Sequence, residues 1–150
     1  IMKKHKPYKG KFNPKQPEKY RGNHRNIIYR SMWERRFMVY CDNNVNIIEW
    51  GSEEVVIPYM SPLDGKRHRY FPDFYLKVKQ HDHTLKKFIV EIKPKAQVKQ
   101  PKINPKRKTK AWYSAVREWG KNQAKWKYAT AYCDKHDMEF KVLTEDHLQL

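Results

Sequence analysis

Tyr70-Phe71-Pro72-Asp73-Phe74-Tyr75-Leu76-Lys77-Val78, a polar interval from Gln80 to Thr84, and then Lys87-Phe88-Ile89-Val90-Glu91-Ile92-Lys93 decide how this chain folds. The first run predicts a strand entered at a proline, the second a strand rich in β-branched residues, and the interval between them a hairpin turn. Directly opposed residues of an antiparallel hairpin share a face, so the turn centre sets which residue lies across from Asp73. A centre at Asp82 places Glu91 there, and a centre at His83 places Lys93 there. Because side chains alternate, Asp73, Glu91 and Lys93 fall on one face in either case. Phe74, Leu76, Val78, Phe88, Val90 and Ile92 fall on the other face and predict a core, leaving the first face as a charged cluster.

Two carboxylates and a lysine gathered in this way suit metal-dependent hydrolysis of a phosphodiester. Hard carboxylate oxygens hold Mg²⁺, with Mn²⁺ as a substitute, and leave positions for water and a phosphate oxygen. The cation acidifies bound water and neutralises charge growing on phosphorus, while an ammonium such as Lys93 stabilises the same charge. Asp73 and Glu91 are therefore the candidate metal ligands and Lys93 the candidate charge stabiliser. A third carboxylate, Glu34, has two readings. Ser31-Met32-Trp33-Glu34 fits a capping box, with Ser31 as N-cap and Glu34 reaching back to its amide, and the same position can turn Glu34 toward the metal cluster as a third, accessory metal ligand. The helix that follows carries Trp33, Phe37, Tyr40 and Cys41 on one stripe.

A net charge of +17 and a pI near 9.9 call for a polyanionic partner. The charge is segregated. Residues 1–30 hold ten Lys or Arg against the single acid Glu18, residues 92–110 hold eight against none, and the remainder is neutral. Residues 1–30, with Pro7, Pro14, Pro17, Gly10, Gly22 and interleaved Tyr8, Phe12 and Tyr20, show no strand or helix period and predict an extended basic arm. Residues 31–150 then form a single α/β domain, which a chain of 150 residues can support with a real core. Pro94, Pro101 and Pro105 predict an irregular loop over 94–110, presenting Lys95, Lys99, Lys102, Lys106, Arg107, Lys108 and Lys110 to a nucleic-acid backbone directly after Lys93. His68 and Arg69, just ahead of the Asp73 strand, are placed to touch a phosphate as well.

Ala111 to His136 reads as a helix with Trp112, Ala115, Val116 and Trp119 on a core stripe and a possible break at Gly120. Met138 to Leu143 alternates as a closing strand, and a crossover from the preceding helix favours parallel pairing for it. The element order helix, hairpin, hairpin, helix, strand predicts a mixed sheet flanked by helices. Cys41 and Cys133 lack zinc-ligand spacing and read as reduced core thiols, and His81-Asp82-His83 reads as a solvated turn tip. No transmembrane run, phosphate-cradling glycine loop or internal repeat is present, which argues against membrane and small-molecule cofactor roles.

Ser31-x-x-Glu34 on a first helix, a strand pair over Val45 to Tyr59, His68-Arg69-Tyr70-Phe71-Pro72-Asp73-Phe74 and Val90-Glu91-Ile92-Lys93-Pro94 together resemble the restriction-endonuclease-like superfamily with its Pro-Asp…Asp/Glu-x-Lys signature. Within it the order of helix glutamate, post-proline aspartate and Glu-x-Lys is most similar to the endonuclease subunit of heteromeric transposases. Along the whole chain the sequence also resembles the head-completion proteins of T-even-type tailed phages. These resemblances imply a restriction-endonuclease-like core, a Mg²⁺-dependent DNA endonuclease with Glu34, Asp73, Glu91 and Lys93 in its site, and head or portal proteins as possible partners. They further imply work in the host cytoplasm during assembly, trimming or holding the packaged DNA end, with association with the virion possible. Two alternatives stand beside that expectation: a structural virion protein that keeps the fold without cutting, and a transposase-type nuclease subunit.

Overall fold

Pro72 is the pivot of the architecture. It is fully buried, and its ring fixes φ where one strand ends and another must begin in a different sheet. The computed structural model describes residues 9–148. In chain order these form β1 (Gly10–Phe12), a 3-10 turn (Pro17–Lys19), β2 (Ile27–Tyr29), α1 (Met32–Asn43), β3 (Ile47–Ser52), β4 (Ile57–Met60), β5 (Arg67–Tyr70), β6 (Phe74–Lys79), β7 (Leu85–Ile92), the single turn α2 (Lys95–Val98), α3 (Lys110–Lys135), β8 (Met138–Leu143) and a last turn α4 (Glu145–Leu148). The strand expected from Tyr70 to Val78 is thus two strands: Tyr70 ends β5, and β6 starts only after Phe71-Pro72-Asp73.

The main sheet runs β3-β6-β7-β8. β3 and β7 flank β6 in antiparallel fashion, and β8 closes on β7 in parallel, as the crossover through α3 requires. Phe74 pairs with Val90 and Lys79 with Leu85, so the hairpin is centred on Asp82 and, one step past the ladder, Asp73 lies opposite Glu91. The turn is held by Gln80 and Thr84, whose hydroxyl bonds both Gln80 and Asp82, with His83 in the left-handed region at φ 67°. β3 and β4 do not form the expected strand pair. β4 pairs with β5 in a hairpin of its own, and β3 lies on the edge of the main sheet beside β6.

Both faces of the sheet are covered. On one, Phe74, Leu76, Val90 and Ile92 pack against Phe37, Met38 and Cys41 of α1 and against Trp50. On the other, where a purely charged face was expected, Tyr75 and Ile89 are buried under Cys133 of α3, and Ala129 packs on Ile57, Tyr59 and Tyr70 of the β4-β5 hairpin. The charged cluster is therefore confined to the sheet end where β6 begins and β7 stops. The α1 stripe also differs by one position: Met38 is buried and Tyr40 is 53% exposed.

The largest departure concerns the expected arm. From Lys9 onward it is not extended: β1 and β2 pair, and Phe12, Tyr20 and Ile27 enter the core around Trp50. Lys19 is buried, and its ammonium donates to the carbonyls of Cys41, Asp42 and Asn44 at 2.7, 3.0 and 2.8 Å, closing the C-terminal end of α1. The Asp42 carboxylate in turn accepts the amides of Lys15 and Gln16. Basic composition hid an apolar and capping function. Residues 1–8 of the expected arm lie outside the described residues.

α3 runs unbroken through Gly120, because 26 residues of mostly good helix formers tolerate one glycine. Its first three turns project past the core: Ala115 and Val116 are exposed, against the expected core stripe. Thr109 caps it by accepting the Trp112 amide. Among the described residues no helix is long and apolar enough to cross a membrane, and Cys41 and Cys133 are free and buried.

Candidate active site

Glu91 is a buried carboxylate held by side-chain and backbone donors. It lies at the end of β7, whose run Phe88-Ile89-Val90 suits a central strand buried on both faces, and it is only 6% exposed. A carboxylate so buried must be hydrogen-bonded. Its Oε2 accepts the Tyr70 hydroxyl at 2.7 Å and the Asp73 amide at 3.3 Å, and its Oε1 lies 3.9 Å from the Lys93 ammonium. Asp73 is fixed by Pro72 before it and by the Ile92 amide, which donates to Oδ2 at 2.7 Å. The Asp73 carbonyl accepts the amide of Glu53, a residue held at φ 55°, and Arg30 bonds the Glu53 carboxylate beside this point.

Two carboxylates buried across a hairpin repel each other. Burial first, then the charges of Glu91 and Glu34, push Asp73 up to about 8, with Lys93 and the Ile92 amide pulling the other way. Burial also raises Glu91, opposed by Tyr70, Lys93 and the Asp73 amide. The pair is a site of stored negative potential that a divalent cation or a shared proton relieves. Asp73 Oδ1 and Glu91 Oε1 accept no hydrogen bond from the described residues, so hard oxygen donors remain on both residues. That donor set fits Mg²⁺ or Mn²⁺. Among the described residues no three His, Cys, Asp or Glu side chains converge as a ready-made metal cage.

The capping box around Glu34 forms only in part. Ser31 caps α1 by accepting the Glu34 amide at 3.1 Å. The Glu34 carboxylate does not reach back to Ser31, as a standard capping box would; it accepts the Arg30 amide at 3.0 Å. It is also near enough to raise Asp73, while its own acidity is weakened by burial.

The expected DNA-contacting residues divide. Lys99, Lys102, Lys106, Arg107, Lys108 and Lys110 are exposed on the irregular segment and the start of α3. That segment is pinned to the helix where Trp112 Nε1 donates to the Lys102 carbonyl at 2.9 Å, with the Lys108 ammonium over the indole. Lys95 is engaged elsewhere: its ammonium pairs with Asp146 at 2.9 Å and its amide bonds Glu145, tying the segment to α4. His68 is paired with Asp64 at 2.7 Å, and Arg69 lies over the Phe71 ring. Sequence reasoning missed Tyr70 and Lys125. Tyr70 sits three residues before Asp73 and anchors Glu91; Lys125, on α3, stands over the Tyr59 and Tyr70 rings. The spacing of Lys121, Lys125, Ala129 and Cys133 at every fourth residue was the available signal.

Comparison with known proteins meets this geometry from another side. Residues 44–145 match the family described as TnsA-like endonuclease N terminal, a span that holds Asp73, Glu91 and Lys93. The chain belongs to the TnsA-like endonucleases. It is also 41% identical over 146 residues to the head completion nuclease of Enterobacteria phage T4, covering 95% of this chain and 94% of that protein. This endonuclease is thus a nuclease with a restriction-endonuclease-like α/β fold, as its sequence implied. Glu34, Arg30 and the folded residues before them lie outside the family match but within the reach of the phage relative.

Proposed function

We propose that this nuclease hydrolyses DNA phosphodiester bonds with a divalent cation, Mg²⁺ or in its place Mn²⁺, held by Asp73 and Glu91. The observation that carries the reading is the buried, opposed carboxylate pair, one member gripped by a tyrosine and the other raised to about 8 by burial and then by the neighbouring carboxylate. A bound cation would supply acidified water and neutralise charge at phosphorus. Tyr70 and the Asp73 amide hold Glu91 in one orientation, and the Ile92 amide does the same for Asp73. Lys93, whose amide is anchored to the Leu143 carbonyl, directs its ammonium to the Glu91 side of the site and meets the charge on the pentacovalent phosphorus. Glu34 acts at the rim as an accessory carboxylate, and the exposed lysines of 99–110 track the backbone leading in.

The name of the phage relative supports work on packaged DNA during head completion, in the cytoplasm of an infected host and with head or portal proteins as partners. A plasmid-nicking assay tests the chemistry. Nicking is expected in Mg²⁺ and in Mn²⁺ and none in EDTA; cleavage that persists in EDTA would remove the two-carboxylate mechanism.

A further inference from the structure

Residues spaced four apart on α3 form a row that starts inside the core and ends outside it. Cys133 and Ala129 are buried against the sheet and the β4-β5 hairpin. One turn earlier the row becomes Lys125, and one turn before that Lys121, both half-buried. The Lys125 ammonium lies 5.4 Å from the centre of the Tyr70 ring and 5.8 Å from that of Tyr59. Tyr70 is the residue whose hydroxyl holds Glu91. Lys125 is therefore aimed at the catalytic end of the sheet from the helix side.

Lys121 has a counter-ion, Glu118 at 2.9 Å. Lys125 has none within ion-pair distance among the described residues; its neighbours are the two aromatic faces. A half-buried cation held only by rings is incompletely compensated, since cation–π attraction replaces part of its lost hydration and no more. Burial, followed by the charges of Lys121 and Lys93, makes its ammonium easier to deprotonate, and Glu91 and Glu118 offset this only in part. What the position lacks is an anion. We propose that Lys125, with Lys121 beside it, forms a subsite for a backbone phosphate of DNA adjoining the scissile one, gripping the strand from the α3 side of the Asp73–Glu91 pair. This inference rests on the nuclease mechanism above.

The test is steady-state cleavage of an end-labelled DNA duplex in Mg²⁺ by the full chain and by Lys125→Met, Lys125→Arg and Lys127→Ala. Methionine keeps an apolar stem against the tyrosines while removing the charge. Lys125→Met should raise KM by about tenfold to a hundredfold, the usual loss for a charge-assisted contact, with kcat changed less. Its log–log salt dependence of binding should flatten by about 0.9. Lys125→Arg should keep most of the affinity, and Lys127→Ala, on the exposed side of α3, should match the parent. Once the cut is mapped, single neutral methylphosphonates placed around it locate the phosphate that Lys125 holds. At one flanking position the substitution should cost the parent as much as Lys125→Met does, and cost the variant nothing further. Parental KM and salt slope in Lys125→Met, or additive losses at every flanking position, would overturn the subsite. If the parent itself fails to cut in Mg²⁺, the nuclease mechanism fails; if the parent cuts and Lys125→Met cuts equally well, only the subsite does. Should circular dichroism show Lys125→Met unfolded, Lys121→Ala carries the same slope and methylphosphonate comparison.

Discussion

Replacing Asp73 with asparagine should make the cation-free protein more stable, and increasingly so as the pH rises. Asp73 sits at about 8 when folded against 3.8 for a free aspartate, so the native state holds its proton more tightly than the unfolded chain. An acid shifted upward in this way loses stability progressively as pH climbs from its unfolded value toward its folded one, because the native state must either keep a proton the solvent is withdrawing or bear the repulsion. At roughly 1.4 kcal/mol per pH unit, the ceiling on that penalty is about 5 to 6 kcal/mol, reached near pH 8. Asparagine removes the titration, yet its side-chain oxygen can still accept the Ile92 amide. Urea unfolding in EDTA at about pH 5.5 and about pH 8 should show the variant's advantage widening by up to about 3 kcal/mol between the two. Millimolar Mg²⁺ at the higher pH should then stabilise the parent and leave the variant nearly unmoved, since binding to the native state alone adds RT ln(1 + [L]/Kd). A gap that stays constant or narrows with pH would refute the crowding argument, whatever the cleavage assay shows.

Lys93→Ala should bind DNA close to parental affinity, being one of 33 basic residues, while losing on the order of a hundredfold or more in kcat by single-turnover cleavage. Neutralising Lys102, Lys106, Arg107 and Lys108 together should lower the salt slope of DNA binding by about 0.9 for each phosphate no longer neutralised, as measured by fluorescence anisotropy. Lys19→Ala should destabilise the fold by about 2 to 4 kcal/mol in urea, because three carbonyls at the end of α1 are left without their donor, with little change in the salt slope.

The hairpin was legible because its two constraints agreed: the alternation of Phe74, Leu76 and Val78 set the faces, and a polar turn narrowed the register to two choices. The parallel β8 followed from crossover geometry, and the pairing of Asp73 with Glu91 from the Asp82-centred choice. The β4-β5 hairpin was missed because four-residue strands carry too few alternations to say which neighbour they join. The folded segment after Lys9 was hidden by its composition. Pro and Lys dominate it, yet Phe12, Tyr20 and Ile27 are enough to dock it, and Lys19 serves a helix end rather than solvent. Tyr70 escaped for a different reason: its importance depends on what stands across from it in space, and no local period encodes that, whereas Lys125 lay on a four-residue row with Ala129 and Cys133 that was there to be read.

The parallel closure of β8 on β7 has a consequence in time. Asp73 and Glu91 belong to a hairpin whose turn spans only a few residues, a structure that forms in about 1–10 μs. Lys93 is different: its amide is set by the Leu143 carbonyl, and β7 meets β8 only across the whole of α3, with Lys87 facing Met138. Pairings of such sequence separation form late and slowly. The Asp73–Glu91 hairpin is thus local in the chain, while the seat of Lys93 depends on a contact made from beyond α3. A fragment truncated before Met138 would keep both acidic residues and lack the strand whose Leu143 carbonyl holds the Lys93 amide.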